Sequence, residues 1–301
     1  MQMSAFPEEG IWLKGNYHTH TTLSDGVEEP MAQIRLYKEQ GYDWLAFTDH
    51  NVMNARPQWD KELLMLPAWE RDISFVDKVK CIHVIGLFSA STPIEAIMRR
   101  PKGDKEKMTM QDLLDEMRNE DKNVFLSIAH PCWSRMEPEE LAQLEGFDAI
   151  EVFNTGTERL CHEGHAEYLW DYLLRRGRKV DAVACDDTHG HTACDDHFGG
   201  WVMVKAKEKS RAAVLDALKH GAFYASSGPV IHDWGRTEQG EIYVSCSPCE
   251  EIHFITYPAR GKAVYGNLTK AVYPLKGGET YVRIECIDKA GQRAWTNPIW
   301  L

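Results

Sequence analysis

No stretch of this 301-residue chain approaches 18 uninterrupted apolar residues, so a membrane-spanning helix is not expected. The opening MQMSAFPEEGIWLKG lacks a basic region followed by an apolar core, which leads to a cytoplasmic expectation. Basic residues are the minority: 34 Lys plus Arg against 46 Asp plus Glu leave a formal charge of −12. Such a surface repels phosphate backbones, and a nucleic-acid-binding groove is not expected. A small anionic ligand is not excluded, because metal ions or arginines can invert the field within one pocket. Cysteine is sparse and scattered, eight in a chain long enough to bury its own core, so no disulfide framework is expected. Only Cys246-Ser-Pro-Cys249 has zinc-knuckle spacing, with Cys286 or His253 available to complete a site, but no second such pair follows. Internal repeats and low-complexity segments are absent, and 43% hydrophobic with 27% charged residues is the balance of an ordinary folded protein.

What is present is alternation. From residue 11 to about 225, short apolar runs end at Tyr17, Phe47, Trp69, Leu87, Ile128, Phe153 and Ala184. Helical patterns lie between several of them, at Pro30 to Gln40, Thr109 to Asn119, Pro138 to Leu144 and, longest, Leu160 to Arg176. Strand and helix in regular succession imply βα units and a parallel sheet or barrel, an α/β fold. After the helical Ser210 to His220 and the turn-rich Ser226-Ser227-Gly228-Pro229 the pattern changes to short alternating stretches, at Glu241 to Ser245, Glu251 to Tyr257 and Thr280 to Ile287. Two units are therefore expected: a main domain over 1–225 and a small antiparallel β module over 226–301.

The 13 histidines carry most of the chemistry, because their positions track the strands. His18-Thr19-His20 ends the first apolar run, and side chains two apart on a strand face the same side, so two imidazoles can meet one metal. Asp25 follows in the loop. The second run ends in Thr48-Asp49-His50 and the third at Glu70, while a fourth carries His83. The run Val124 to Ala129 ends in His130, and Val180 to Cys185 ends in Asp186-Asp187-Thr188-His189. In (β/α) barrels the C-terminal strand ends are where active sites are built. Six histidines and three carboxylates at matching ends point to a metal site.

At these residues the sequence resembles the PHP (polymerase and histidinol phosphatase) metallohydrolases over roughly residues 14 to 205. The blocks that carry the resemblance are YHTHTTLSDG with His18 and His20, FTDHN with His50, LPAWERD with Glu70, SIAHPCW with His130 and CDDTHG with Asp187 and His189; His83 falls at a fitting spacing. Asp25 places the chain nearer the small phosphoesterase branch. The resemblance implies a distorted (β/α)7 barrel holding two or three divalent metals. It also implies a ligand set: His18, His20, Glu70 and Asp187 around one ion, with Glu70 bridging to a second ion held by His83 and His130, and a third taken by Asp25, His50 and His189. A mixed imidazole and carboxylate shell suits manganese, iron or zinc. The tail segments GAFYASSGP and AWTNPIW resemble a subgroup that includes carbaryl hydrolase-like proteins.

The expectation for function is hydrolysis of a small phosphate ester at a multinuclear metal centre. A carbamate, carboxylic ester or amide is the alternative bond, and a metal-binding module without turnover the alternative class. His191 and His197, in the loop after the last ligand block, are candidates for the general acid. Arg135 and Arg159 are candidates to clamp an anionic substrate. Glu151 ends an apolar run as the ligands do, and is expected to support ligands rather than bind metal. His162 and His165 read as a solvated helix face.

Overall fold

The computed structural model describes residues 3–7, 9–53, 61–74, 80–89, 98–99, 108–190, 194–258 and 260–301. Its first half runs β1 (Met3–Ser4), β2 (Ile11–Asn16), α1 (Pro30–Glu39), β3 (Trp44–Ala46), β4 (Val52–Met53), β5 (Leu64–Leu66), β6 (Ala68–Ser74), β7 (Cys81–Leu87), β8 (Met98–Arg99), α2 (Met110–Glu120) and β9 (Phe125–Ile128). Next come α3 (Pro138–Gln143), β10 (Ala149–Asn154), α4 (Thr155–Cys161), α5 (Glu167–Leu174), β11 (Asp181–Cys185), β12 (Trp201–Ala206), α6 (Arg211–Lys219) and β13 (Phe223–Ser226). The chain finishes as β14 (Ile231–Arg236), β15 (Ile242–Tyr257), β16 (Lys262–Tyr273), β17 (Tyr281–Ile287), β18 (Arg293–Thr296) and β19 (Ile299–Trp300). Among the described residues no helix is long and apolar enough to cross a membrane.

Helix boundaries follow local chemistry. Pro30 opens α1, where its missing N–H costs nothing, and Gly41 at φ +73° closes the turn after it. Thr109 and Asp112 form a reciprocal capping box on α2, and Ser210 accepts from Ala213 N at the start of α6. The expected long helix over Leu160 to Arg176 is instead two helices, α4 and α5. His162 ends α4 in the left-handed region at φ 58°, and Gly164 lies so near Asn154 O that a Cβ there would sit 2.4 Å from it. A continuous helix would have to carry a side chain through that backbone.

The strands form an α/β structure of two large sheets. One follows the order β1-β14-β15-β17-β18-β13-β12-β2-β3-β5, with β16 on β15 and β19 on β17; the other is β11-β10-β9-β7-β6. β2, β3 and β5 pair in parallel, as do β9, β10 and β11, in keeping with the expected βα units. The single closed barrel is not formed among the described residues. β6 and β7 run antiparallel, β7 is antiparallel to β9, and β12 is antiparallel to β2. Only Pro67 separates β5 from β6, so the chain steps there from one sheet to the other. Isolated bridges Thr19 to Thr188 and His50 to Glu70 tie the sheets together at the end where the parallel strands finish.

The first sheet continues without a break through position 225, since β13 pairs with both β12 and β18. Its C-terminal strands are longer than the sequence pattern suggests: β15 is a single strand of 16 residues, bent by register shifts on either side of Cys249. Arg283 of β17, 2% exposed, reaches Asp171 of α5 at 2.8 Å and so joins this half to the helices.

Close packing between β2 and β3 is set by one glycine. A Cβ on Gly15 would lie 1.9 Å from the indole of Trp44, its register partner and a fully buried side chain. Gly15→Val is expected to lower unfolding stability by about 2–3 kcal/mol through overpacking, read from urea denaturation. An unchanged midpoint would show that Trp44 repacks freely.

Candidate metal centre

The parallel strands deliver their polar ends to one place. β2 leads into His18 and His20, β3 into Asp49 and His50, β9 into His130, and β11 into Asp187 and His189, while β6 and β7 contribute Glu70 and His83. His130 and Asp187 both hold positive φ, 26° and 53°, a conformation that costs a non-glycine residue about 1 kcal/mol. The backbone there is strained in the act of turning these side chains inward.

Glu70 is fully buried at the centre. Its Oε1 lies 2.8 Å from His83 Nδ1, 3.3 Å from His18 Nε2 and 3.4 Å from His130 Nε2. Its Oε2 lies 3.0 Å from His50 Nδ1 and 3.3 Å from His20 Nε2. Asp187 Oδ1 is 3.0 Å from His18 Nε2 and 3.2 Å from His20 Nε2. Asp25, at the more open side, places Oδ1 3.4 Å from His20 Nδ1 and Oδ2 3.4 Å from His50 Nε2, with His189 Nε2 at 3.6 Å. All nine expected ligands are thus brought together. Among the described residues five overlapping sets have ligand atoms within 4.8 Å of one another. Four are drawn from the nine, namely His20, Asp25, His50 and His189; His18, His20 and Glu70; His18, His130 and Asp187; His50, Glu70 and His83; the fifth joins His18 to Glu151 and Cys185.

These groups fit a cation better than they fit each other. Glu70 Oε2, Asp187 Oδ1 and His50 Nδ1 are buried without a hydrogen-bond partner, although nitrogens or oxygens stand about them at contact distance. The Nε2 atoms of His18 and His20 approach to 3.2 Å, a separation that opposes two lone pairs unless a proton or metal lies between or beside them. Without metal, protons take that role. Burial by itself would lower His50, His83 and His189, yet Glu70 and Asp25 carry them up, to about 11, about 9 and about 9. Burial likewise opposes ionisation of Glu70, but His83, His18 and His50 hold its carboxyl well below the ordinary range.

Neighbouring residues lock the loops. Asp49 accepts from Thr21 N and Oγ1 and from Ser24 Oγ, each at 2.8 Å, and so orders the turn that carries Asp25. Asp196 accepts from Thr188 Oγ1 at 2.6 Å and from His189 N at 2.8 Å. A cavity of about 300 Å³ opens over the cluster, walled also by Trp133 and by Gly156, Thr157 and Leu160 on one face of α4. Trp133 packs edge-on against His130 at 4.8 Å, and Leu160 is 69% exposed at the rim. Sequence reasoning missed Asp196, Trp133 and Leu160; only Trp133, three residues beyond His130, carried a signal.

The remaining candidates are placed differently. His197 does not line the cavity: its Nε2 is 3.2 Å from Gln33 Oε1 and its Nδ1 3.2 Å from Asp196 Oδ1. His191 lies outside the described residues. Arg135 is exposed and paired with Glu163, away from the lining. Arg159 is exposed on α4, the helix that forms the wall, without itself lining the cavity. Cys246, Cys249 and Cys286 are buried together in the core of the C-terminal sheet, while His253 pairs with Glu251 at 2.7 Å.

No family model and no curated protein matches the sequence. Solved structures do. A two-domain protein from Bacteroides vulgatus containing a predicted PHP-like metal-dependent phosphoesterase superposes with a TM-score of 0.54 at 16% identity, covering 99% of this chain and 98% of that one. A candidate metal-dependent phosphoesterase from Bifidobacterium adolescentis gives 0.38 at 16% identity, over 61% of this chain and 89% of that one. An amidohydrolase from Chromobacterium violaceum, solved with sulfate and no metal, gives 0.45 at 15% identity, over 68% and 96%. The first likeness runs end to end and shows a shared fold. The tail resemblance to carbaryl hydrolases has no counterpart among these three.

Proposed function

We propose that the chain is a metal-dependent hydrolase of a small phosphate ester. The observation that carries this reading is the convergence of six imidazoles and three carboxylates in one cluster, four of the imidazoles and all three carboxylates lining a cavity, with buried acceptor atoms left without hydrogen bonds. Two or three ions of manganese, iron or zinc would supply Lewis acidity there and a water acidified toward neutral pH. Glu70 is suited to bridge two ions, because its two oxygens face different imidazoles. His18, His20 and Asp187 would complete one site, His83 and His130 a second, and Asp25, His50 and His189 a third.

The chain's own groups set the substrate's size and approach. A 300 Å³ cavity is at the small end of ligand pockets. Trp133 and Leu160 give its rim an apolar side for the organic part of an ester. Three divalent ions would take the charge from −12 to about −6, with the whole correction in one cleft. An anion would be drawn to that cleft and repelled elsewhere.

The test is turnover by the metal-loaded protein of p-nitrophenyl phosphate, its bis-ester and a mononucleotide panel, beside p-nitrophenyl carbamate, ester and anilide probes. Metal-dependent release from a phosphate ester is the expected result. Turnover confined to the carbon-centred probes, or none at all, would overturn the phosphoesterase reading.

A further inference from the structure

One heavily bonded side chain beside the cluster is outside the nine proposed ligands. Glu151, on β10, is fully buried and receives four donors. Tyr17 Oη donates to Oε1 at 2.8 Å, and His18 Nδ1 lies 2.7 Å from the same oxygen. The backbone N of His130 donates to Oε2 at 2.7 Å, and Asn154 Nδ2 donates to it at 2.8 Å. A carboxylate has about four lone-pair directions, so this one is saturated.

Saturation has a consequence for His18. With Glu151 accepting, the hydrogen of the neutral imidazole is on Nδ1, and the lone pair is on Nε2, which faces Glu70 at 3.3 Å and Asp187 at 3.0 Å. Cys185 Sγ, 3.9 Å from Nδ1, is too distant to compete. The same carboxylate pins the backbone of His130, whose φ of 26° needs support. Through Asn154, whose second hydrogen reaches Asp187 Oδ2 at 3.1 Å, it also steadies a third member of the cluster. The orientation of the Asn154 amide is fixed in turn, since its Oδ1 accepts from Thr157 N at 2.9 Å.

A strand irregularity makes the arrangement possible. Residues three apart on a regular strand point to opposite faces, yet Glu151 and Asn154 meet. The pairing of β10 with β11 shifts register between Glu151 and Phe153, and such a bulge re-aims the side chains that follow it.

We infer that Glu151 is a positioning residue that sets the tautomer of His18 and the placement of His130 and Asp187 for metal binding. The inference rests on the proposed role of those three residues as ligands. In Glu151→Gln one oxygen becomes an NH2, so donor must face donor either at Tyr17 and His18 or at His130 N and Asn154.

The test uses zinc as the probe, with affinity measured by competition against a chromophoric chelator, and ¹⁵N-histidine spectra of the zinc-saturated protein. Glu151→Gln is expected to bind zinc about 10- to 100-fold more weakly, with the His18 signals moving away from the Nδ1–H tautomer. Affinity within twofold of wild type, or an unmoved tautomer, would overturn the inference. Should that variant fail to fold, Glu151→Asp keeps the charge but withdraws it by one methylene. It is expected to weaken zinc binding severalfold, and unchanged affinity would again overturn the role. A wild-type chain that binds zinc but hydrolyses nothing would defeat the phosphoesterase reading and leave this inference standing; one that binds no zinc would defeat both.

Discussion

Glu70→Gln is expected to reduce hydrolysis about a thousandfold, equivalent to about 4 kcal/mol of transition-state stabilisation, and to lower the metal bound per chain. Glu70 is fully buried and meets five imidazole nitrogens within 3.4 Å. The substitution preserves volume but removes a negative charge and turns one acceptor into a donor. A buried site of this kind loses more from mismatch than from simple absence. Metal analysis of the same sample, with a melting curve to show that the chain is folded, separates a lost ligand from a lost fold. Glu140→Gln serves as the control, because that carboxylate is on the surface with Lys80 and should leave both readouts unchanged. Full metal content and activity in Glu70→Gln would remove Glu70 from the centre.

The cluster was legible because its signal is carried by strand ends. Period-two geometry makes His18 and His20 neighbours, and a parallel strand delivers its terminus to the same rim as its companions, so residues as distant in sequence as Asp25 and His189 could be grouped. What could not be read is how the groups are shared. His50 stands with Glu70 and His83 in one set and with Asp25 and His189 in another. Such sharing depends on rotamers and on loops anchored by Asp196 and by Asp49, whose partner Thr21 lies 28 positions away. Among the described residues the regular parallel succession of a (β/α)7 barrel is interrupted, for a reason the spacing holds. Only six residues separate Ser74 from Cys81, and a parallel connection needs a dozen or more, so β6 and β7 had to form an antiparallel pair. The split of the long helix was hidden, because it depends on the contact of Gly164 with Asn154. Arg135 drew attention by following His130, but its positive φ, 58°, turns it to Glu163 at the surface.

Removing divalent ions with a chelator should lower the melting temperature of the wild-type chain by about 10 °C near pH 8, and by less near pH 6. The size follows from linkage: a ligand at a thousand times its dissociation constant stabilises by about 4.1 kcal/mol, and for a chain of this length each kcal/mol shifts melting by about 2–4 °C. The sign with pH follows from the protons that stand in for metal. In the metal-free chain His83 and His189 are raised to about 9, and His50 to about 11, by carboxylates that outweigh the effect of burial. A histidine raised above its unfolded value contributes stability that is full below about pH 6.5 and is lost as pH climbs through its folded value. The metal-free chain therefore loses this contribution between pH 6.5 and 9. Metal needs the same imidazoles neutral, so its binding releases protons and strengthens over that interval. These are one linkage seen from two sides, and it widens the gap between loaded and chelated protein as pH rises. Melting curves with and without zinc at pH 6, 7, 8 and 9 measure that gap directly, and a gap that narrows toward pH 9 would mean that these histidines do not hold the metal.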